Sequence, residues 1–177
     1  MIPVEEYLNT SYDPDMEYVD GVLVERNLGD WLHSLIQRNL ILALSCPSPF
    51  LRRARGEDLG RRGRYPHIYA VPELRSQTRA TRYRLPGVCV LLAPPKTRYL
   101  VDAAHIAIEI LSEADRMSEV LEKLEEYAAK GVQNIWLIDP RLQRVSVYAG
   151  GNLELVKGDA TSTSDGIELT RDEIFQQ

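Results

Sequence analysis

His105-Ile106-Ala107-Ile108-Glu109-Ile110-Leu111, followed by Ser112-Glu113-Ala114-Asp115, is the stretch on which the fold turns. Its first seven residues are almost continuously apolar, as in a strand covered on both faces. Ser112 to Asp115 has the form of a capping box, with Asp in the last position instead of Glu. It predicts a helix running to about Lys130. Met117, Val120, Leu121, Leu124 and Tyr127 form its inner face, and Gly131 is its C-cap. Asn134 to Ile138 is a second apolar strand. Strand, helix and strand at this spacing make a βαβ crossover, so part of the sheet is parallel.

Further strands lie on both sides of this unit. Met16 to Glu25 reads as a hairpin around Asp20-Gly21, the pair favoured by a two-residue type I′ turn. Pro3 to Leu8 reads as a short helix with Pro in its first turn. Asp30 is positioned to cap a helix running to about Leu44, with Leu32, Leu35, Ile36, Leu40 and Ala43 at helical spacing. Weaker strands are expected at His67 to Val71 and Thr81 to Leu85, and a buried one at Val88 to Leu92. Gln143 to Tyr148 and Leu153 to Lys157 flank Gly150-Gly151-Asn152 as a C-terminal hairpin. The hairpins add antiparallel strands. The expected fold class is therefore α/β (α+β), a mixed β-sheet flanked by helices, with residues 1–177 as one domain.

With 44% hydrophobic and 27% charged residues, the 177-residue chain has globular composition. No apolar run reaches the ~18 residues that span a bilayer, so no membrane partner is expected. Met1 to Glu6 is acidic where a secretory leader is basic. The two cysteines, Cys46 and Cys89, are far apart and apolar in context, and read as reduced thiols of a cytoplasmic protein. The net charge of −5 is unevenly spread. Arg52 to Arg98 holds twelve Lys/Arg against three acids, a local +9, and leaves −14 for the rest. Such a basic middle is either solvated loop charge or a phosphate-attracting surface.

Glu109 is the anomaly within the buried strand, because a carboxylate there needs a pair, a hydrogen bond or a cation. Alone, it reads as a satisfied ion pair or as the exposed end of the strand. Lys123 lies on the flank of the following helix's apolar stripe, and alone it reads as a solvated lysine among Glu122, Glu125 and Glu126. A crossover helix packs back on its own strand. Together, then, the two also read as the acid and the amine of one site.

Several segments together resemble a known family. They are Thr81-Arg82-Tyr83-Arg84-Leu85-Pro86, Ile108-Glu109-Ile110-Leu111-Ser112, Lys123-Leu124-Glu125-Glu126-Tyr127 with Gly131-Val132, and Trp136-Leu137-Ile138-Asp139-Pro140. In this order and spacing they resemble the Uma-type restriction endonuclease family of the PD-(D/E)XK nuclease superfamily. Glu17 to Glu25 is similar to that family's N-terminal hairpin, and His33 falls where its first long helix often carries a histidine.

The resemblance implies a restriction-endonuclease-like fold and hydrolysis of DNA phosphodiester bonds with a divalent cation, Mg²⁺. It makes Glu109 the metal-binding glutamate and a catalytic residue. Because Leu111 stands where the superfamily has its lysine, Lys123 on the next helix becomes the catalytic amine. One expected carboxylate is missing: the family has Pro-Asp where this chain has Pro86-Gly87. Glu17, Glu73 and Asp102 are the acids that could replace it. Arg52, Arg53, Arg55, Arg61, Arg62, Arg64 and Arg84 are the expected nucleic-acid contacts. The expected function is a Mg²⁺-dependent endonuclease impaired at Gly87, acting on DNA as a homodimer. The alternative is a degenerate nuclease fold serving as a nucleic-acid-binding or dimeric interaction module.

Overall fold

A computed structural model describes residues 1–27, 29–45, 65 and 67–177. The βαβ unit read from the sequence sits at its centre. Strand β7 (Ile106–Ile110) pairs in parallel with β8 (Asn134–Asp139), and helix α3 (Met117–Lys130) connects them. Around this pair, β3 (Tyr69–Pro72), β6 (Val88–Leu91), β9 (Arg144–Ala149) and β10 (Asn152–Leu155) complete a six-stranded mixed sheet, ordered β10-β9-β8-β7-β6-β3. Edge strand β10 is exposed along its whole length.

A second, antiparallel sheet is ordered β2-β1-β5-β4. It consists of β1 (Glu17–Val19), β2 (Val22–Val24), β4 (Ser76–Arg79) and β5 (Arg82–Arg84). The Asp20-Gly21 turn joins β1 to β2 with φ of 50° and 91°, the left-handed pair that a type I′ turn requires. A small ribbon, β11 (Ala160–Ser162) with β12 (Glu168–Thr170), precedes the C-terminal helix α4 (Arg171–Phe175). The short helix α1 (Val4–Asn9) begins after Pro3.

Alternation along β7 decides what each residue faces. Ile106, Ile108 and Ile110 share a core with Ile36, Leu40 and Leu44 of helix α2 (Trp31–Ser45) and with Ile174 of α4. Ala107 points the other way, into a core with Val120, Leu124 and Tyr127 of α3. Glu109 alternates with Ala107 and therefore faces the crossover helix. Asp30 accepts the His33 backbone N–H at 2.8 Å, the cap expected for α2.

Two expectations about α3 are corrected. The helix starts at Met117, not within the Ser112–Asp115 box. Asp115 uses its carboxylate in a loop instead, accepting Ser112 N–H at 2.7 Å and Asn27 Nδ2 at 2.7 Å. Met117 and Leu121 are exposed, while Glu126 is buried. The acid is accommodated because it is ion-paired. Among the described residues no helix is long and apolar enough to cross a membrane. Cys89 is buried in the sheet, and burial pushes its thiol up to about 12; Cys46 lies outside the described residues.

Candidate active site

Glu109 and Lys123 line one cleft with Arg26, Asn27, His33 and Asp115. Glu109 is 8% exposed, and its Oε1 accepts the Tyr127 hydroxyl at 2.6 Å. Burial pushes its carboxyl above the ordinary range; Lys123, Tyr127 and Arg26 pull it back only in part, while Glu17 adds to the rise. Lys123 sits one turn after Val120 and beside Leu124, and its largely buried side chain carries its amine to the cleft. Burial opposes its charge, but Glu109 and Glu17 together hold its pKa above the usual lysine value.

Glu17, at the start of β1, makes the closest contact to that amine. Its Oε1 lies 2.8 Å from Lys123 Nζ and also accepts Leu85 N–H at 3.2 Å. Its Oε2 accepts Arg84 Nη1 at 3.0 Å. Only 1% exposed, Glu17 has both oxygens engaged. Of the three acids considered as replacements at Gly87, it is the one beside the amine. Glu73 pairs instead with Arg26 at 3.2 Å, and Asp102 lines separate cavities with Ala103 and Ala104.

Arg84, expected at the nucleic acid, is placed in a buried ion-pair network. It donates to Glu126 through Nε at 2.9 Å and Nη2 at 2.8 Å as well as to Glu17. Glu126 also accepts Thr78 Oγ1 at 2.7 Å and Arg82 Nη1 at 2.6 Å. This network fixes Arg84, which in turn fixes Glu17. The other expected contacts, Arg52, Arg53, Arg55, Arg61, Arg62 and Arg64, lie outside the described residues.

Gly87 sits in the bend before β6, its carbonyl accepting Gln37 Nε2 at 3.0 Å. A Cβ there would lie 3.2 Å from Ile110 Cδ1 and Cγ1 and 3.3 Å from the Ile108 carbonyl. A side chain at this position therefore begins against Ile110.

Three cleft residues escaped the sequence reading in this role. Tyr127 reads as plain core, and its hydroxyl's use shows only once Glu109 is placed beneath it. Asp115 reads as a helix cap. Arg26 follows the hairpin with no pattern to mark it.

The mixed sheet and its crossover unit define a restriction-endonuclease-like nuclease fold. Residues 4–172 match the model of the Uma2 family, described as "Putative restriction endonuclease", and the chain belongs to that family. A solved structure from Anabaena variabilis ATCC 29413, described as a "putative nuclease belonging to DUF820", has the same fold. It superposes with a TM-score of 0.75 at 20% identity, covering 99% of this chain and 98% of that one. No curated protein matches the sequence.

The resemblance to such nucleases implies a divalent cation, and the donors here do not fit one. A hard ion such as Mg²⁺ takes near-octahedral oxygen ligands, anionic ones among them. Gly87 has no side-chain oxygen, Glu17 is spent on Lys123, Arg84 and Leu85, and one Glu109 oxygen is held by Tyr127. Among the described residues no three His, Cys, Asp or Glu side chains gather as a metal site.

Proposed function

We propose that this protein is a nuclease-family member that engages DNA while its metal-dependent phosphodiester hydrolysis is impaired. The observation that carries this reading is a cleft holding Glu109 and Lys123 together while Gly87 contributes no carboxylate. An acid and an amine at this place in the fold are the remnant of a hydrolytic site. Glu17 has both oxygens engaged, and Asp115, the other carboxylate lining the cleft, is held by Ser112 N–H and Asn27. Glu109 would be the remaining anionic ligand, and Lys123 the group that orients a phosphate or an attacking water. The six arginines from Arg52 to Arg64 support DNA as the partner, whereas Arg75, Arg82 and Arg84 of the same basic stretch are spent on ion pairs.

Supercoiled plasmid incubated with the purified chain and Mg²⁺ or Mn²⁺ is expected to stay intact. A labelled duplex should still bind, with affinity falling as salt rises and falling further when Arg61, Arg62 and Arg64 are neutralised together. Nicking by the wild-type chain that Glu109→Gln abolishes would refute the impairment. Binding that ignores both salt and the arginine changes would refute DNA as the partner.

A further inference from the structure

We propose that Arg26 is the resident cation of this cleft, tethered by Glu73 beside Glu109, and that it excludes a divalent ion even when a carboxylate is restored at position 87. The proposal rests on the nuclease-derived reading of the cleft and deepens it.

The tether is explicit. Arg26 Nη1 lies 3.2 Å from Glu73 Oε1. The same oxygen accepts Gln37 Nε2 at 3.4 Å, and that amide also donates to the Gly87 carbonyl at 3.0 Å. A short chain of contacts therefore anchors the guanidinium to the strand entry that lacks its acid. The Arg26 side chain is 16% exposed and lines the cleft together with Glu109 and Lys123. It also lines the adjoining cleft that holds Glu17 and Arg84. Glu73 is its one ion-pair partner among the described residues, so the rest of its planar donor fork remains for other acceptors.

Glu109, Lys123 and His33 line the cleft together with Arg26, so its fixed positive charge faces all three. A divalent ion entering beside Glu109 would meet Arg26 and Lys123 together, while Asp115, the other carboxylate lining the cleft, is already engaged by Ser112 N–H and Asn27. An aspartate introduced at position 87 would stand next to the Gln37–Glu73–Arg26 chain. A bidentate pair with the guanidinium would satisfy it, leaving the ion still short of ligands.

Calorimetric titration of the full chain with Mn²⁺ alone separates the outcomes. Wild type and Gly87→Asp are expected to show no binding up to millimolar Mn²⁺. Arg26→Gln/Gly87→Asp should bind at least about tenfold more tightly than Gly87→Asp. Arg26→Lys/Gly87→Asp should behave like Gly87→Asp, because the charge is kept. A parallel set carrying Ile110→Val relieves the contact at position 87, so misfolding of one variant does not decide the result; thermal melts check each chain. The proposal is overturned if Gly87→Asp binds as tightly as the Arg26→Gln double variant. It is equally overturned if wild type binds at micromolar Mn²⁺, or if the Arg26→Lys version binds like the Arg26→Gln one. These titrations contain no DNA, so their failure leaves the DNA-binding reading to the plasmid and duplex assays.

Discussion

Replacing Glu126 by Gln tests the network that holds the cleft's geometry. Glu126 is 1% exposed and receives two hydrogen bonds from Arg84, one from Arg82 and one from Thr78. Burial alone would raise its carboxyl, but these donors outweigh it and bring the pKa from 4.5 down to about 2. A folded-state pKa below the unfolded value means that the unfolded chain binds the proton more readily. The stabilisation is therefore complete above about pH 4.5 and is lost as pH falls toward 2. A shift of this size corresponds to roughly 3 kcal/mol, discounted to about 2–3 kcal/mol because Arg82 is partly solvated. Glu126→Gln should lose about that much at pH 7 in urea unfolding, and the gap to wild type should close between pH 4.5 and 2.5. The variant also loosens Arg84, so its cost reaches Glu17 and Lys123. A loss below about 0.5 kcal/mol at pH 7, or a gap independent of pH, would refute the reasoning.

Other perturbations read other parts of the structure. Tyr127→Phe removes the 2.6 Å hydrogen bond to Glu109 and should cost about 1.5–3 kcal/mol by urea unfolding at pH 7. Because burial raises the Glu109 pKa in the folded state, its contribution is full below the ordinary carboxyl range and declines as pH rises through the folded value. In Tyr127→Phe that decline should extend to higher pH, seen as urea midpoints still falling where wild type is flat. Gly87→Asp should lower stability by about 1–2 kcal/mol through its contact with Ile110, and Ile110→Val should recover part of the loss in thermal melts. Leu124→Ala opens a cavity under α3 and should cost about 3 kcal/mol in urea unfolding, with the cleft residues displaced along with the helix.

The elements with a strong local signature were legible from sequence. The apolar strand β7, the Gly131 cap in its left-handed conformation, the Asp20-Gly21 turn and the Asp30 cap all stand where their chemistry put them. Strand β4 was not read, because Ser76-Gln77-Thr78-Arg79 shows no apolar alternation and is held by pairing with β5. Ribbon β11-β12 and helix α4 were not read either; their three- to five-residue lengths carry little periodicity. The start of α3 misled because Asp115 satisfies backbone and side-chain donors in a loop just as well as it would cap a helix. For the cleft, the meeting of Glu109 and Lys123 in one space followed from crossover packing. The engagement of Glu17, the tether of Arg26 and the burial of Arg84 and Glu126 did not. Each depends on how the second sheet docks against α3, a long-range arrangement with no local pattern.

The chemistry open to this fold rests on Glu109 and Lys123 sharing one desolvated cleft. Carboxyl-carbon NMR titration of Glu109, in wild type and in Lys123→Met, reads this directly. The predicted result is a Glu109 carboxyl that titrates above the ordinary glutamate range and moves higher still when the amine is removed. A Glu109 that titrates like a solvated glutamate, or does not respond to Lys123→Met, would contradict it.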